Sequence, residues 1–362
     1  MSHSTTYKQM TVNKANFSQV SWEESDSIAL GEGEASFTLE RFALTANNVT
    51  YAVLGNMIRY WQFFPAQTES QGIIPVWGVA KCTESHSDQV KEGERFFGFW
   101  PMATKLIMRP KRVTNDALVD TAEHRKDLPP NYNYYEVLTE NNPDVENLMS
   151  VYKPLYATAY LLAHQIIAND CYQAEQVIFT SASSKTALLC AQILKAHLGE
   201  NSQVSVIGAT SNRNTQFVEG TGFYHNVVAY DDLSSINSNA KTALIDFSGN
   251  KDTLIRVHQH HQENVVFSTL VGITDWQSNG RLPDLPGATP EMFFAPAVYQ
   301  AVAKQIGLDT LQANIGKGLI NLVKTGLPIQ MEVLSVADNL ETRYLDFVAG
   351  NADATKATVL YW

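Results

Sequence analysis

The 362-residue sequence predicts a two-domain α/β protein whose second part is a doubly wound parallel sheet. Three observations carry that expectation. The chain is longer than one hydrophobic core usually organises. Residues 1–114 hold short β-rich runs separated by Gly, Pro and polar turns. From about residue 151, apolar runs without alternation are interleaved with helical patterns, as expected for strands covered on both faces.

The elements follow in order. Runs at 35–39, 73–81 and 105–108 read as strands, and the stretch 75–101 places a turn at 91–94 before an aromatic strand. Residues 115–150 carry many charges, Pro129, Pro130 and Pro143, and Tyr132, Tyr134 and Tyr135. They read as a long, lid-like excursion. Residues 152–168 look helical. Then VIFTSA at 177–182, VSVIGA at 204–209, NVVAY at 226–230, TALIDFSG at 242–249 and NVVFSTLVG at 264–272 read as strands. Helical patterns fill the gaps to about 197, near 213–219 and near 251–261. Residues 290–325 look helical again. The tail from 331 reads as strand, helix, turn and strand, with the last strand returning to the first domain. The expected boundaries are 1–150, 151–325 and a C-terminal return over 326–362.

Composition narrows the function. The formal net charge of −11 argues against nucleic-acid binding, which rewards clustered Lys and Arg. Cys82, Cys171 and Cys190 lie far apart without a CxxC pair, so neither a disulfide framework nor a structural zinc site is expected. The N-terminal stretch is polar and lacks the apolar core of a signal peptide. No run reaches the roughly 18–20 apolar residues that span a bilayer. The expectation is a cytoplasmic protein with no membrane partner.

The turn after the first strand of the second domain is the main candidate site. Dinucleotide-binding turns are glycine-rich, because the backbone bends tightly and approaches a pyrophosphate at a helix N-terminus. Here the turn is Ser181, Ala182, Ser183, Ser184, Lys185, Thr186 and Ala187. The Ser181, Ser183, Ser184 and Thr186 hydroxyls offer donors, and Lys185 offers charge. The plainer reading is that these residues cap the helix and form the turn. At the end of the second strand, Thr210, Ser211, Arg213 and Asn214 stand where an NAD-binding sheet usually has an acid for the ribose. Small hydroxyls and a guanidinium suit a 2′-phosphate, which points to NADP(H) if a dinucleotide binds. Otherwise, Ser211 and Arg213 simply open a solvated helix.

Several segments, in the right order, resemble one family. They are ALTANNVTYAVLG at 43–55, VKEGERFFGF at 90–99, LYATAYLLAHQI at 155–166, ALLCAQILKAHLG at 187–199, LIDFSGN at 244–250 and the closing LETRYLDFVAGNADATKATVLYW. Together they resemble the medium-chain dehydrogenase/reductase superfamily, especially its zinc-free quinone-oxidoreductase-like and enoyl-reductase-like branches. The resemblance implies an N-terminal GroES-like, β-barrel-type domain joined to a Rossmann domain. It implies NADPH-dependent reduction of an activated double bond or carbonyl, and a homodimer paired edge to edge.

By position, Tyr51 is the candidate hydrogen-bond donor to the enolate and Asn48 the orienting amide, with Asn47 as the alternative. Thr158 is expected near the nicotinamide. The zinc ligands of other branches are not recognisable. His258 and His261 could share a helix face at i, i+3, but no third ligand is suggested. Tyr60, Trp61, Phe63, Phe64, Phe96, Phe97, Phe99 and Trp100, with the three tyrosines at 132–135, are either core or the lining of a wide apolar cleft between the domains. A cleft would favour a bulky enone, quinone or enoyl thioester. The competing expectation is a dinucleotide-fold protein that binds a ligand without hydride transfer.

Overall fold

The computed structural model describes residues 7–26, 29–199, 202–272 and 283–362. Residues 1–6 of the polar N-terminal stretch therefore lie outside the described residues. The chain divides into two compact units. One comprises Met1–Val151, Met331–Ala352 and Lys356–Trp362, and the other Tyr152–Gln330 and Asp353–Thr355.

The first unit is built on antiparallel strands. It contains β1 (Tyr7–Asn13), β2 (Asn16–Ser25), β3 (Ala35–Leu44), helix α1 (Ala46–Val53), β4 (Gln71–Gly72), β5 (Pro75–Ser85) and β6 (Arg95–Pro101). It continues with β7 (Lys105–Met108), β8 (Pro110–Thr114), β9 (Ala117–Asp120) and β10 (Tyr135–Leu138). Helix α2 (Pro143–Ala168) carries the chain into the second unit. That unit alternates β11 (Gln176–Phe179), α3 (Lys185–Leu198), β12 (Ser205–Thr210), α4 (Thr215–Thr221), β13 (Asn226–Ala229), β14 (Thr242–Asp246), α5 (Lys251–His261) and β15 (Val265–Leu270). It ends with β16 (Glu291–Met292), α6 (Ala295–Ile306) and α7 (Leu308–Thr325). Strand β17 (Gln330–Ser335), helix α8 (Val336–Val348) and strand β18 (Lys356–Tyr361) follow.

Strands β17 and β18 complete the large sheet of the first unit, in the order β17-β18-β3-β5-β6-β10-β9-β8, with β7 also on β3. Its interior is aromatic. Phe37, Phe96, Phe99, Trp100 and Tyr135 are fully buried, and each contributes about 1.5–3 kcal/mol by leaving water. Of the aromatic residues that might have lined a cleft, Tyr134 alone is exposed; the other ten pack as core.

The lid-like reading of 115–150 is corrected by strand pairing. β8 and β9 form a hairpin, and β10 pairs with β6 from Glu136↔Phe97 to Leu138↔Arg95. Gly98 makes room for this arrangement, because a Cβ there would lie 2.3 Å from the Tyr135 ring. The Arg125–Asp120 ion pair is buried, and Arg125 donates to the Tyr135 hydroxyl at 2.6 Å. Helix α2 then starts at Pro143, earlier than the pattern at 152–168 suggests. Pro143 suits a helix start, and Asp144 and Glu146 complement the positive end of the helix dipole. Glu146 accepts both prongs of Arg95 at 2.6 and 2.8 Å and lies 3.3 Å from Arg41.

The parallel sheet of the second unit runs β13-β12-β11-β14-β15-β16. Counted along this unit, the order is 3-2-1-4-5-6, that of a Rossmann sheet. Registers such as Val177↔Val206 and Val177↔Ala243 bring the carboxyl ends of β11, β12 and β14 together. Ile178, Ala209, Leu244, Leu254 and Val257 form one core cluster.

The histidines of α5 belong to this core. The His258 ring nitrogens pair with the Pro286 carbonyl at 2.9 Å and Ser268 Oγ at 3.0 Å. His261 Nδ1 lies 3.3 Å from Thr242 Oγ1. Among the described residues, no group of three or more His, Cys, Asp or Glu could hold a metal ion. No described helix is long and apolar enough to cross a membrane.

Two predictions follow from these buried charges. Glu146→Ala would leave Arg95 with Glu40 alone and Arg41 without a carboxylate partner, and should lower unfolding free energy by about 3 kcal/mol in urea melts. Burial, with His260 and His258 nearby, pushes His261 from 6.5 down to about 4. The folded state then binds fewer protons than the unfolded one, so the His261 contribution is complete above pH 6.5 and lost as pH falls toward 4. The urea midpoint of His261→Gln should therefore change less with pH across that window than the parent's.

Candidate functional site

The site is built at the carboxyl ends of β11 and β12, where ligands of open parallel sheets usually bind. The turn from Thr180 to Ser184 is held from several sides. Ala182 N–H donates to the Ala209 carbonyl at 3.1 Å, and the Tyr224 hydroxyl donates to the Ala182 carbonyl at 3.0 Å. Gly208 lets β12 come this close, since a Cβ there would lie 3.0 Å from both Ala182 Cβ and the Tyr224 ring. Ser181 takes a left-handed conformation, with φ at 47°, which glycine adopts at less cost. Its N–H donates to the Tyr230 hydroxyl at 2.7 Å.

Ser184 caps α3 by accepting from Ala187 N–H at 3.3 Å. The first turn of a helix leaves N–H groups without intrahelical partners. Among the described residues, the backbone N–H groups of Ser183, Lys185 and Thr186 find no acceptor. Lys185, half-buried, makes no hydrogen bond or ion pair there either. Burial pushes its ammonium down to about 8, while Asp353 pulls the other way. Among the described residues, neither Lys185 nor Thr186 bonds its side chain.

Ser183, Thr210 and Asn214 meet. Ser183 Oγ accepts from Thr210 Oγ1 at 3.3 Å and Asn214 Nδ2 at 3.1 Å, which leaves its own proton to donate outward. Ser211 precedes the 3-10 turn Asn212–Asn214, on which Arg213 is exposed. The absence of an acid at the end of β12 is partly offset in space. Asp231, just past β13, accepts from Asn212 Nδ2 at 2.9 Å.

Sequence reasoning missed Tyr230, Asp231 and the centre of the mouth. There Asp246 is fully buried and accepts from Thr180 Oγ1, Ser248 N at 3.0 Å, Ser248 Oγ at 2.7 Å and Gly249 N at 3.2 Å. Burial nevertheless raises its carboxyl above the usual range. Each of these residues ends an apolar strand or lies within two residues of its end, and that position is the signal that could have found them.

The first unit holds the other candidates. Asn48 is consumed by structure: Oδ1 accepts from Thr45 N–H at 2.8 Å in a capping box, and Nδ2 donates to the Pro75 carbonyl at 2.8 Å. That corrects its reading as an orienting amide. Asn47 is half-buried and interacts with the Tyr51 hydroxyl. Tyr51 accepts from Trp77 Nε1 at 3.1 Å and packs 4.8 Å from Tyr60, whose hydroxyl meets that of Tyr132 at 2.9 Å. Burial, then the neighbouring Tyr132, raises the Tyr51 pKa, so its phenol keeps its proton. Thr158 Oγ1 donates to the Pro154 carbonyl at 3.2 Å, within its own helix.

The donor set therefore fits a diphosphate: three unpaired N–H groups, an ammonium and two hydroxyls converge on one helix start. If Ser181 carries backbone strain, Ser181→Gly should raise stability by up to about 1 kcal/mol, and Ser181→Val should lower it by more than that, in denaturant melts.

Solved structures share this architecture. CurA from Vibrio vulnificus in complex with NADPH is 12% identical over 98% of this chain and 98% of that one, with a TM-score of 0.63. Escherichia coli quinone oxidoreductase complexed with NADPH is 13% identical over 98% and 100%, with a TM-score of 0.60. The CurK enoyl reductase is 12% identical over 98% and 99%, with a TM-score of 0.54. Identities this low establish the fold alone: the chain has the two-domain α/β fold of the quinone oxidoreductases. No curated protein sequence matches it. Residues 42–353 match the family described as "Protein of unknown function (DUF2855)", and the chain belongs to that family.

Proposed function

We propose that this protein is a zinc-independent, NADPH-dependent reductase of an activated double bond or carbonyl in an apolar substrate, working as a cytoplasmic homodimer. The observation that carries the reading is the set of unpaired N–H groups at Ser183, Lys185 and Thr186, at the mouth of a 3-2-1-4-5-6 sheet. Two solved structures with this fold, CurA and the Escherichia coli quinone oxidoreductase, are complexes with NADPH, which supports the choice of cofactor.

Ser183, Lys185 and Thr186 would hold the diphosphate, while Thr210, Ser211, Arg213 and Asn214 would hold the adenosine side, with Arg213 directed to a 2′-phosphate. Bound NADPH would supply a hydride to an electrophilic carbon. The Tyr51 phenol, protonated at neutral pH and held more firmly so by burial, would donate a hydrogen bond to the oxygen that gains charge. Trp77 Nε1 and Asn47 orient the phenol.

A second reading, ligand binding without hydride transfer, is favoured by two observations. Asn48 is committed to a helix cap, and the Tyr51 side chain is only 5% exposed.

A panel of enones, quinones and enoyl thioesters, followed by NADPH absorbance, separates the two readings. The reductase reading expects turnover of at least one, with kcat falling about a hundredfold in Tyr51→Phe. Saturable NADPH binding without turnover of any panel member would favour the second reading. Arg213→Ala should weaken NADPH about tenfold more than NADH in calorimetric titrations. An equal loss for both would contradict the 2′-phosphate assignment.

A further inference from the structure

Trp61 lies in the first unit against two glycines. A Cβ at Gly55 would lie 2.1 Å from its Nε1, and a Cβ at Gly72 would lie 2.6 Å from its Cε3, so the indole needs both positions bare. Trp61 is only 6% exposed, yet its Nε1–H finds no acceptor among the described residues. A buried indole N–H ordinarily has one. Gly55, against which the Nε1 edge lies, borders with Trp61 a hollow of about 490 Å³.

Two cations border the same hollow. Lys14 Nζ donates to the Glu69 carbonyl at 2.9 Å and stands 5.9 Å from the centre of the Trp61 ring. Arg59 Nε donates to Gln62 Oε1 at 2.9 Å, and its Nη1 donates to the Asp127 carbonyl at 3.3 Å. Both heads are thereby held in place with donors to spare, since Arg59 Nη2 has no partner among the described residues. The opposing charge is smaller. Glu123 is 92% exposed and faces Lys126 at 3.9 Å, which leaves Asp127 as the other bordering acid. Partial desolvation and the neighbouring Arg125 hold His124 below its usual range, so it adds no charge at pH 7. The balance is about one positive charge beside an N–H that can only donate. A cation or a wholly apolar guest would leave that N–H unpaired.

We propose that this hollow binds a small organic monocarboxylate, with its oxygens on Trp61 Nε1, the Lys14 ammonium and Arg59 Nη2. The site lies wholly within the first unit and stands independently of the dinucleotide reading.

The test follows the Trp61 indole N–H resonance of the full chain by heteronuclear NMR at constant ionic strength, with Trp61→Phe assigning the peak. Benzoate should move it downfield and saturate at about millimolar concentration, and acetate should move it the same way. Benzamide, of like shape without the charge, should bind about tenfold more weakly or less. Lys14→Gln and Arg59→Gln should each weaken benzoate about fivefold or more. Circular dichroism melts check folding, and Arg59→Gln, at an exposed position, carries the comparison if Lys14→Gln unfolds. No saturable shift with either carboxylate overturns the site. Benzamide binding as tightly as benzoate overturns the anion assignment, and unchanged benzoate affinity in the folded variants overturns the contacts.

Discussion

A helix start that leaves backbone donors unpaired is the constraint on which the functional reading depends. The N–H groups of Ser183, Lys185 and Thr186 cannot be satisfied by α3 itself. Everything around them fixes their direction. Ala182 is pinned to β12 and Tyr224, Ser181 is pinned to Tyr230, and Ser184 closes the cap. Pinned donors are pre-organised donors, and an anion that reaches them need not order the turn first.

The same turn explains how the protein manages without glycines. A glycine-rich turn brings backbone close to phosphate by removing side chains. Here Ser181 accepts the left-handed conformation, and Ser183 is held by Thr210 and Asn214. In the proposed binding mode, contact made by bare backbone is exchanged for contact by hydroxyl and ammonium.

Much of the fold was legible because its signals are local and periodic. Apolar runs without alternation announced β11, β12, β14 and β15, and a helix was expected near 251–261, where α5 lies. The closing strand, helix and strand were equally clear. The segment 115–150 was harder, because nothing in its prolines and charges announces that Arg125 will be buried against Asp120 and Tyr135. Tertiary pairing overrode a loop-like composition. Ser183, Thr210 and Asn214, whose side chains meet, could be singled out because each follows an apolar strand or opens a helix. Asn48 misled because a capping box and an orienting amide call for the same side chain. Tyr230 and Asp246 escaped because their roles depend on contacts with turns distant in sequence.

The most direct measurement is a crystal structure grown with abundant NADPH. The account predicts diphosphate oxygens within hydrogen-bonding distance of the Ser183, Lys185 and Thr186 N–H groups, with the Lys185 ammonium on one of them. Clear density for the protein, with this turn closed by side chains and no dinucleotide against it, would contradict the account.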